Sequence, residues 1–170
     1  CKKSRDLKGI KAPLNEWEEQ GYLTFIDDVE IPAKVVVDWF KDMGTKYNIK
    51  RIAIDNFRYS LLNFAFKEID FDAFEKKNIK LVRPNDIMKV SPIINSVFVN
   101  KILSWGLCRI MCWMTNNAKK IQNNGNITFG KIEPNFRKTD TFMSMVNAFT
   151  IAEDIENEVT ELVFVEPFVF

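Results

Sequence analysis

A short apolar run that ends abruptly on a carboxylate constrains the fold of this chain more than any other feature. In the stretch 51–56, Ile52 and Ile54 flank Ala53, and Asp55 follows directly. This alternation predicts an extended segment with both isoleucines on one face. A buried strand that ends in Asp carries a charge to the carboxyl edge of a sheet, where open α/β folds place their ligands. The same Asp55 also fits a cap for the next helix, so the stretch alone leaves both roles open.

The elements around this stretch predict an α/β domain. An amphipathic helix over 57–69 and a short strand over 79–82 follow it, and a strand–helix–strand order favours parallel pairing. A turn signal at 123–126 predicts a hairpin. The other predicted elements are a helix at 14–20, a strand at 22–26, a helix from about Pro32, a helix starting at Ser91–Pro92, strands at 107–111 and 127–133, and a helix that opens at Thr139 or Asp140.

The absence of histidine restricts the chemistry open to this chain. It excludes His-based triads, His metal sites and His general bases. Catalysis must therefore rest on carboxylates, lysines, cysteines or a bound metal. The totals of 24 Lys plus Arg and 23 Asp plus Glu give no global field, so nucleic acid would have to be bound by a local patch.

The three cysteines, Cys1, Cys108 and Cys112, do not form a disulfide framework or a convincing zinc site. We expect the last two to be small buried hydrophobes. No apolar run approaches the ~18 residues of a membrane span, so a cytosolic protein without a membrane role is expected. With 170 residues and 46% hydrophobic content, the chain is expected to form a single domain over 1–170. Its start on Cys rather than Met suggests a piece of something longer.

A second charged segment lies at 136–148. Asp140 stands where a helix opens and is either a plain cap or a functional carboxylate. Lys131, Arg137 and Lys138 precede it closely enough to contact phosphates near a reaction site, although a solvated basic stretch is an equal alternative for the last two. An acidic stretch over 153–161 predicts a solvated helix end. The aromatic and β-branched tail over 162–170 is typical of a final strand or a docking segment.

Several motifs, taken in order, resemble the nuclease domain of the large terminase subunit of tailed phages. The resemblance covers about residues 13–155, and the ordered set carries it rather than any single piece. The pieces are LNEWEEQGYLTF (14–25), IAIDN (52–56), VSPIINSV (90–97), CWMTNNA (112–118) and GNITFGKIEPNFRKTD (125–140).

The resemblance implies a ribonuclease H-like mixed sheet flanked by helices and an endonuclease that cuts concatemeric phage DNA during packaging. Such sites hold two Mg²⁺ or Mn²⁺ ions between carboxylates. Asp55 matches the family's acidic residue at the end of the fourth strand, and Asp140 matches the acidic residue that opens the last helix. Both are thereby implied to be catalytic metal ligands. Lys131 matches a lysine before that last acid, and with Arg137 and Lys138 it is implied to bind DNA.

One departure from the family affects these expectations. The family's first catalytic Asp lies on a strand upstream of the Trp–Gly lead-in, and Asp6 fits no strand. No phosphate-loop motif occurs either. The chain is therefore expected to be a C-terminal nuclease-domain fragment, truncated at its N-terminal strands and weak or inactive in cleavage. Exposed sheet edges would then pair between copies in a homo-oligomer, or the tail over 162–170 would fold into the gap.

The partners implied by the resemblance are double-stranded DNA, the phage portal and the small terminase subunit, in the bacterial host cytoplasm of a phage or prophage. A competing hypothesis is a module that docks on the portal or DNA without cleaving. Loss of cleavage with retained fold on mutation of Asp55 and Asp140 would distinguish the nuclease from this module. A third possibility is an unrelated α/β protein in which the two aspartates only cap helices.

Overall fold

The computed structural model describes residue 10 and residues 12–156, apart from the side chains of 155 and 156. It is a mixed α/β structure of six α-helices and four strands in this part of the chain. In order these are α1 (Leu14–Glu19), α2 (Ala33–Gly44), β1 (Ile52–Ile54), α3 (Tyr59–Phe66) with a 3₁₀ turn (Lys67–Ile69), β2 (Ile79–Leu81), α4 (Pro84–Val99), α5 (Arg109–Asn116), β3 (Ala118–Asn123), β4 (Asn126–Lys131) and α6 (Asp140–Glu156).

The strand–helix–strand unit predicted around Asp55 is present. Strand β1 pairs in parallel with β2, with Ile52 opposite Ile79, and α3 forms the crossover. Ile52, Ile54 and Ile79 are buried in one core cluster with Val37 of α2 and Phe66 of α3, so the isoleucine face of β1 is turned toward α2 and α3. The predicted alternation thus fixes which way the strand faces.

The predicted hairpin is also present but forms a sheet of its own. Strands β3 and β4 pair antiparallel from Ala118–Lys131 to Asn123–Asn126. Asn124 and Gly125 both have positive φ, +48° and +80°, as a tight two-residue hairpin turn requires. Within the described residues the strands form two separate two-stranded sheets. The expected single mixed sheet is therefore not seen in this part of the chain.

Two predicted strands are wrong. Residues 22–26 form no strand; the N–H groups of Tyr22 and Leu23 instead donate to the carbonyl oxygen of Trp17 as the chain leaves α1. The segment 107–111 enters helix α5 at Arg109. Both segments are apolar enough for a strand. Instead, the backbone N–H groups of the first bond to the end of α1, and the second becomes part of α5.

The helix predicted to start at Ser91–Pro92 starts earlier, at Pro84. Proline is favoured at a first helical position, and the backbone N–H of Arg83 donates to the carboxylate of Asp86 at 2.8 Å, which closes the first turn. Pro92 therefore lies inside α4. Ser91 is buried and donates its hydroxyl to the carbonyl oxygen of Ile87 at 2.7 Å. The stronger cap upstream explains why the later Ser–Pro pair does not begin the helix.

Helix α6 begins at Asp140, as predicted, and packs on α4. Phe142 and Val146 are buried with Ile94 of α4, and Met145 and Phe149 pack against the same cluster. The expectation that Cys112 is buried is wrong, because on α5 it is exposed and accepts a hydrogen bond from the Trp105 indole. No helix in the described part of the chain is long and apolar enough to cross a membrane. The predicted tail over 162–170 lies outside the described residues.

Candidate carboxylate site at the end of β1 and the start of α6

Asp55 stands exposed at the carboxyl end of β1, directly after two buried isoleucines. Its Oδ1 accepts a hydrogen bond from the backbone N–H of Phe57 at 3.0 Å. Helix α3 begins at Tyr59 after Arg58 and has no side-chain cap, so this contact tightens the turn before the helix and does not cap it, contrary to the capping alternative. It is the only hydrogen bond or ion pair of this carboxylate among the described residues. The second oxygen therefore faces solvent.

Asp140 is the first residue of α6 and is exposed, whereas Thr139 before it is buried. The helix dipole favours a negative charge at this position. The hydroxyl of Ser144 donates to the backbone carbonyl of Asp140 at 2.9 Å, which leaves the carboxylate itself uninvolved. Within residues 12–156 that carboxylate has no hydrogen-bond or ion-pair partner. Asp140 is thus placed as a cap would be, with both carboxylate oxygens open.

The two aspartates lie at the same end of β1 and α6, which run antiparallel to each other. At the opposite end, the Arg51 guanidinium pairs with the Asp154 carboxylate at 2.5 Å. From this ion pair the strand leads away to Asp55, and the helix leads back to Asp140.

A groove of about 420 Å³ runs along β1 toward Asp55, and we call it the β1 groove. One wall comes from α2 and α3, and the other comes from α6. The residues that line it are Val36, Phe40, Leu62 and Phe66 on the first wall, Ser144, Asn147, Ala148 and Ile151 on the second, and Arg51 to Asp55 along the strand. Asp55 is one of the residues that line this groove, so a molecule bound in the groove would lie near its carboxylate.

A second cavity of about 340 Å³ lies beside Asp140 and is lined mostly by apolar side chains. Trp17 and Trp113 meet edge to face there, with ring centroids 5.6 Å apart. Lys138 lines the same cavity as Asp140. Asp55 and Asp140 therefore line different surface cavities, although both lie at the same end of the β1–α6 pair.

The predicted basic residues lie at the end of β4 and on the connection from β4 to α6. Lys131 ends β4 and is half-buried. The Arg137 guanidinium lies 3.8 Å from the Glu133 carboxylate, and it donates to the side-chain oxygen of Asn117 at 3.3 Å. Lys138 lies two residues before the start of α6, next to the buried Thr139. The structure thus brings two of the three, Arg137 and Lys138, to the approach of Asp140.

Asn117 is the residue of this site that the sequence motifs did not single out. It is 2% exposed and sits just after α5. Its side-chain amide donates to the Lys138 carbonyl oxygen at 3.0 Å, and its backbone carbonyl accepts from the Ile132 N–H at 2.8 Å. Together with the Arg137 contact, these bonds hold both ends of the β4–α6 connection. The CWMTNNA motif contains this residue, but only the fold shows what it binds.

The donor set fits part of a divalent metal site. Carboxylate oxygens are the ligands that Mg²⁺ and Mn²⁺ prefer, and Asp55 and Asp140 both offer unengaged oxygens. However, no cluster of three or more Asp, Glu, Cys or His residues forms among the described residues. Two carboxylates supply only a minority of the roughly six ligands that such an ion takes. Further ligands would have to come from water, from substrate or from another segment.

A solved structure shares this fold. The chain superposes on the crystal structure of the HK97 bacteriophage large terminase with a TM-score of 0.74 and 15% sequence identity. The match covers 88% of this chain and 31% of that one, so the chain spans about a third of the length of the protein it matches. No protein-family model and no curated protein sequence matches the chain. The described chain therefore has a large terminase-like fold.

Proposed function

We propose that this chain is a metal-dependent DNA endonuclease domain of a phage DNA-packaging terminase, with a ribonuclease H-like arrangement around its site. The likeness in fold to the HK97 bacteriophage large terminase supports the terminase part of the proposal. Because the match covers only 31% of that protein, cutting of concatemeric DNA, the portal and the small terminase subunit all belong to the proposal.

The observation that carries the nuclease part is the placement of Asp55 and Asp140 at one end of β1 and α6. Both carboxylates are exposed there and keep unengaged oxygens. A divalent ion takes about six oxygen ligands, so these open oxygens would supply part of its coordination.

Asp55 and Asp140 would hold Mg²⁺ or Mn²⁺, which when bound activates water and offsets the charge that develops on a phosphodiester. The Phe57 N–H orients the Asp55 carboxylate, whereas Asp140 is fixed only through its backbone at the start of α6. The Asp55 side chain therefore does not have to become ordered from a fully free state when an ion arrives. Orientation of this kind is what positions ligands in metal sites.

Lys131, Arg137 and Lys138 would bind the phosphates of double-stranded DNA beside this pair. The bonds that Asn117 makes to both ends of the β4–α6 connection reduce the freedom of Arg137 and Lys138 near Asp140. Contacts to phosphate fix the position of a duplex but do not read its sequence. The proposed cleavage is therefore not sequence-specific through these three residues.

Manganese binding by the chain itself, measured by electron paramagnetic resonance, tests this proposal. Because two carboxylates supply only a minority of the ligands of such an ion, we expect weak binding. Asp55→Asn and Asp140→Asn should each abolish it while circular dichroism stays unchanged. Asp38→Asn is the matched control, because Asp38 is an exposed carboxylate on α2 whose surface ion pair is with Lys34. Retention of full Mn²⁺ binding by both site variants would contradict the proposal.

A second candidate function, a module that docks on the portal without cleaving, is favoured by one surface. Leu61 and Phe64 on α3 are 47% and 71% exposed, and Phe57, in the turn before this helix, is 78% exposed. Exposed apolar side chains close together are typical of a protein interface rather than of a DNA-binding surface. In this case the two Asp→Asn variants would have no effect on packaging, whereas Phe64→Asp would abolish portal binding.

A further inference from the structure

One continuous segment of the chain contains no acidic residue. All 23 Asp and Glu residues lie outside residues 87–132. The segment forms most of α4, all of α5 and the whole β3–β4 hairpin. Although the chain as a whole is nearly neutral, this part of it carries only positive charge, which attracts polyanions. Its six basic residues are Lys89, Lys101, Arg109, Lys119, Lys120 and Lys131.

The β3–β4 hairpin has one face turned toward the core and one turned away from it. Phe129 of β4 packs edge to face on Phe142 of α6, with ring centroids 5.2 Å apart. Residues opposite each other in a strand pair share a face, so Lys120 lies on this inner face, where its ammonium group donates to the Asn95 side chain at 3.4 Å. The outer face carries Lys119, Ile121, Asn123, Asn126, Thr128 and Gly130.

The shape of this outer face suits a groove of double-stranded DNA. A Cβ on Gly130 would come within 2.6 Å of Cδ1 of Ile121, so the Ile121 side chain lies across the glycine and keeps the face flat there. Two strands about 4.8 Å apart, each of six residues and roughly 20 Å long, form a narrow ribbon. The major groove of B-DNA is about 12 Å wide and admits a two-stranded ribbon.

The tip of the hairpin is rich in side-chain amides. Gln122, Asn123, Asn124 and Asn126 are all exposed, and their side chains form no hydrogen bond with other residues of the described part of the chain. An amide both donates and accepts, and in the major groove Asn or Gln can form two hydrogen bonds with the edge of adenine. Contacts to phosphate position a duplex, whereas contacts of this kind distinguish its bases.

We propose that the β3–β4 hairpin enters the major groove of double-stranded DNA, where Asn123 and Asn126 contact base edges and Lys119 contacts a phosphate. This inference rests on the proposed function and adds to it a choice of sequence. Phe142, on which the hairpin packs, lies two residues after Asp140, so the hairpin is held in a fixed position relative to that carboxylate. A sequence preferred by the hairpin therefore determines which part of the duplex lies at Asp140.

Selection of bound duplexes from a pool with a randomised centre tests the base contacts. Divalent ions are left out, so that binding is measured apart from cleavage. We expect the wild type to enrich a short sequence that contains adenine. Asn123→Ala and Asn126→Ala should each lower the affinity ratio between the selected and a scrambled duplex by at least about fivefold. Asn48→Ala, which removes an exposed amide between α2 and β1, should keep the ratio.

The salt dependence of the same binding tests the phosphate contact. Lys119→Gln should weaken binding of the selected and the scrambled duplex by the same factor, and should lower the slope of log affinity against log salt by about 1. Lys46→Gln is the matched control, because Lys46 is exposed and lies between α2 and β1. It should leave the affinity and the slope unchanged. Circular dichroism should be the same for all of these variants, since each change is on an exposed side chain.

Three results would overturn the groove contact. The first is no enrichment by the wild type, and the second is an affinity ratio that both Asn variants share with the wild type. The third is equal affinity for the selected sequence as a single strand, because a groove exists only in the duplex. None of these results concerns the metal site, since Mn²⁺ binding is measured separately. Enrichment that depends on Asn123 in a chain that binds no Mn²⁺ would support the hairpin contact and refute the proposed nuclease.

Discussion

Phe66 offers the sharpest test of how the domain is held together, because it belongs both to the core and to the wall of the β1 groove. It is 1% exposed on α3 and packs in the cluster that buries β1 and β2. Its ring meets Phe40 edge to face, with centroids 5.2 Å apart and planes at 79°, and lies 6.4 Å from Phe71. Phe66→Ala removes all of these contacts at once.

The expected cost can be worked out from these contacts. Burial of a side chain of this size stabilises the fold by about 1.5–3 kcal/mol, and each edge-to-face pair adds about 0.5–1.5 kcal/mol. Because the walls of the cavity collapse only partly, we expect a total loss of about 3–5 kcal/mol in the free energy of unfolding. The total free energy of unfolding of such a domain is about 5–15 kcal/mol, so the variant should be folded but clearly destabilised.

The matched control is Phe64→Ala, on the same helix and with the same atoms removed. Phe64 is 71% exposed, so its truncation should change the free energy of unfolding by less than about 0.5 kcal/mol. Urea denaturation followed by circular dichroism measures both values. A loss of less than about 1 kcal/mol for Phe66→Ala, or an equal loss for both variants, would refute the assignment of the core.

Two further predictions concern single buried polar residues. The hydrogen bond from Lys67, followed by bonds from backbone N–H groups, lowers the pKa of Asp72 to about 2 from 3.8. The wild type should therefore melt at a higher temperature than Asp72→Asn. This difference should have its full size above about pH 5 and shrink as the pH falls from 4 toward 2. Asn117→Asp turns an oxygen toward the Lys138 carbonyl in place of a donor, and should cost about 1–3 kcal/mol in urea denaturation. The adjacent exposed Asn116→Asp should cost little.

The sequence predicted those parts of the fold that rest on local signals. The run that ends on Asp55 gave the buried strand, and the Asn-Gly turn at 124–125 gave the hairpin, because each depends on a few neighbouring residues. The start of α6 at Asp140 follows from the same kind of signal. The Ser91–Pro92 prediction is wrong because a local signal at Arg83–Asp86, upstream of it, already starts the helix.

What the sequence could not predict depends on contacts between distant segments. The hydrogen bonds of Asn117 join α5 to the β4–α6 connection, and nothing in the residues around it indicates this role. The level of Asp140 relative to Asp55 depends on how β1 packs on α6, which no spacing along the chain determines. The proposed metal site stays a prediction for this reason: its residue types were visible in the sequence, and its third ligand was not.

The local contacts of Asp55 and Asp140 do not exclude metal binding. The Phe57 N–H occupies one oxygen of Asp55 and leaves the other oxygen open. Asp140 uses its position rather than its oxygens, since the dipole of α6 acts on the whole group. A local contact that engages at most one oxygen keeps the carboxylate available to a cation. The same local structure therefore also prepares the site that we propose.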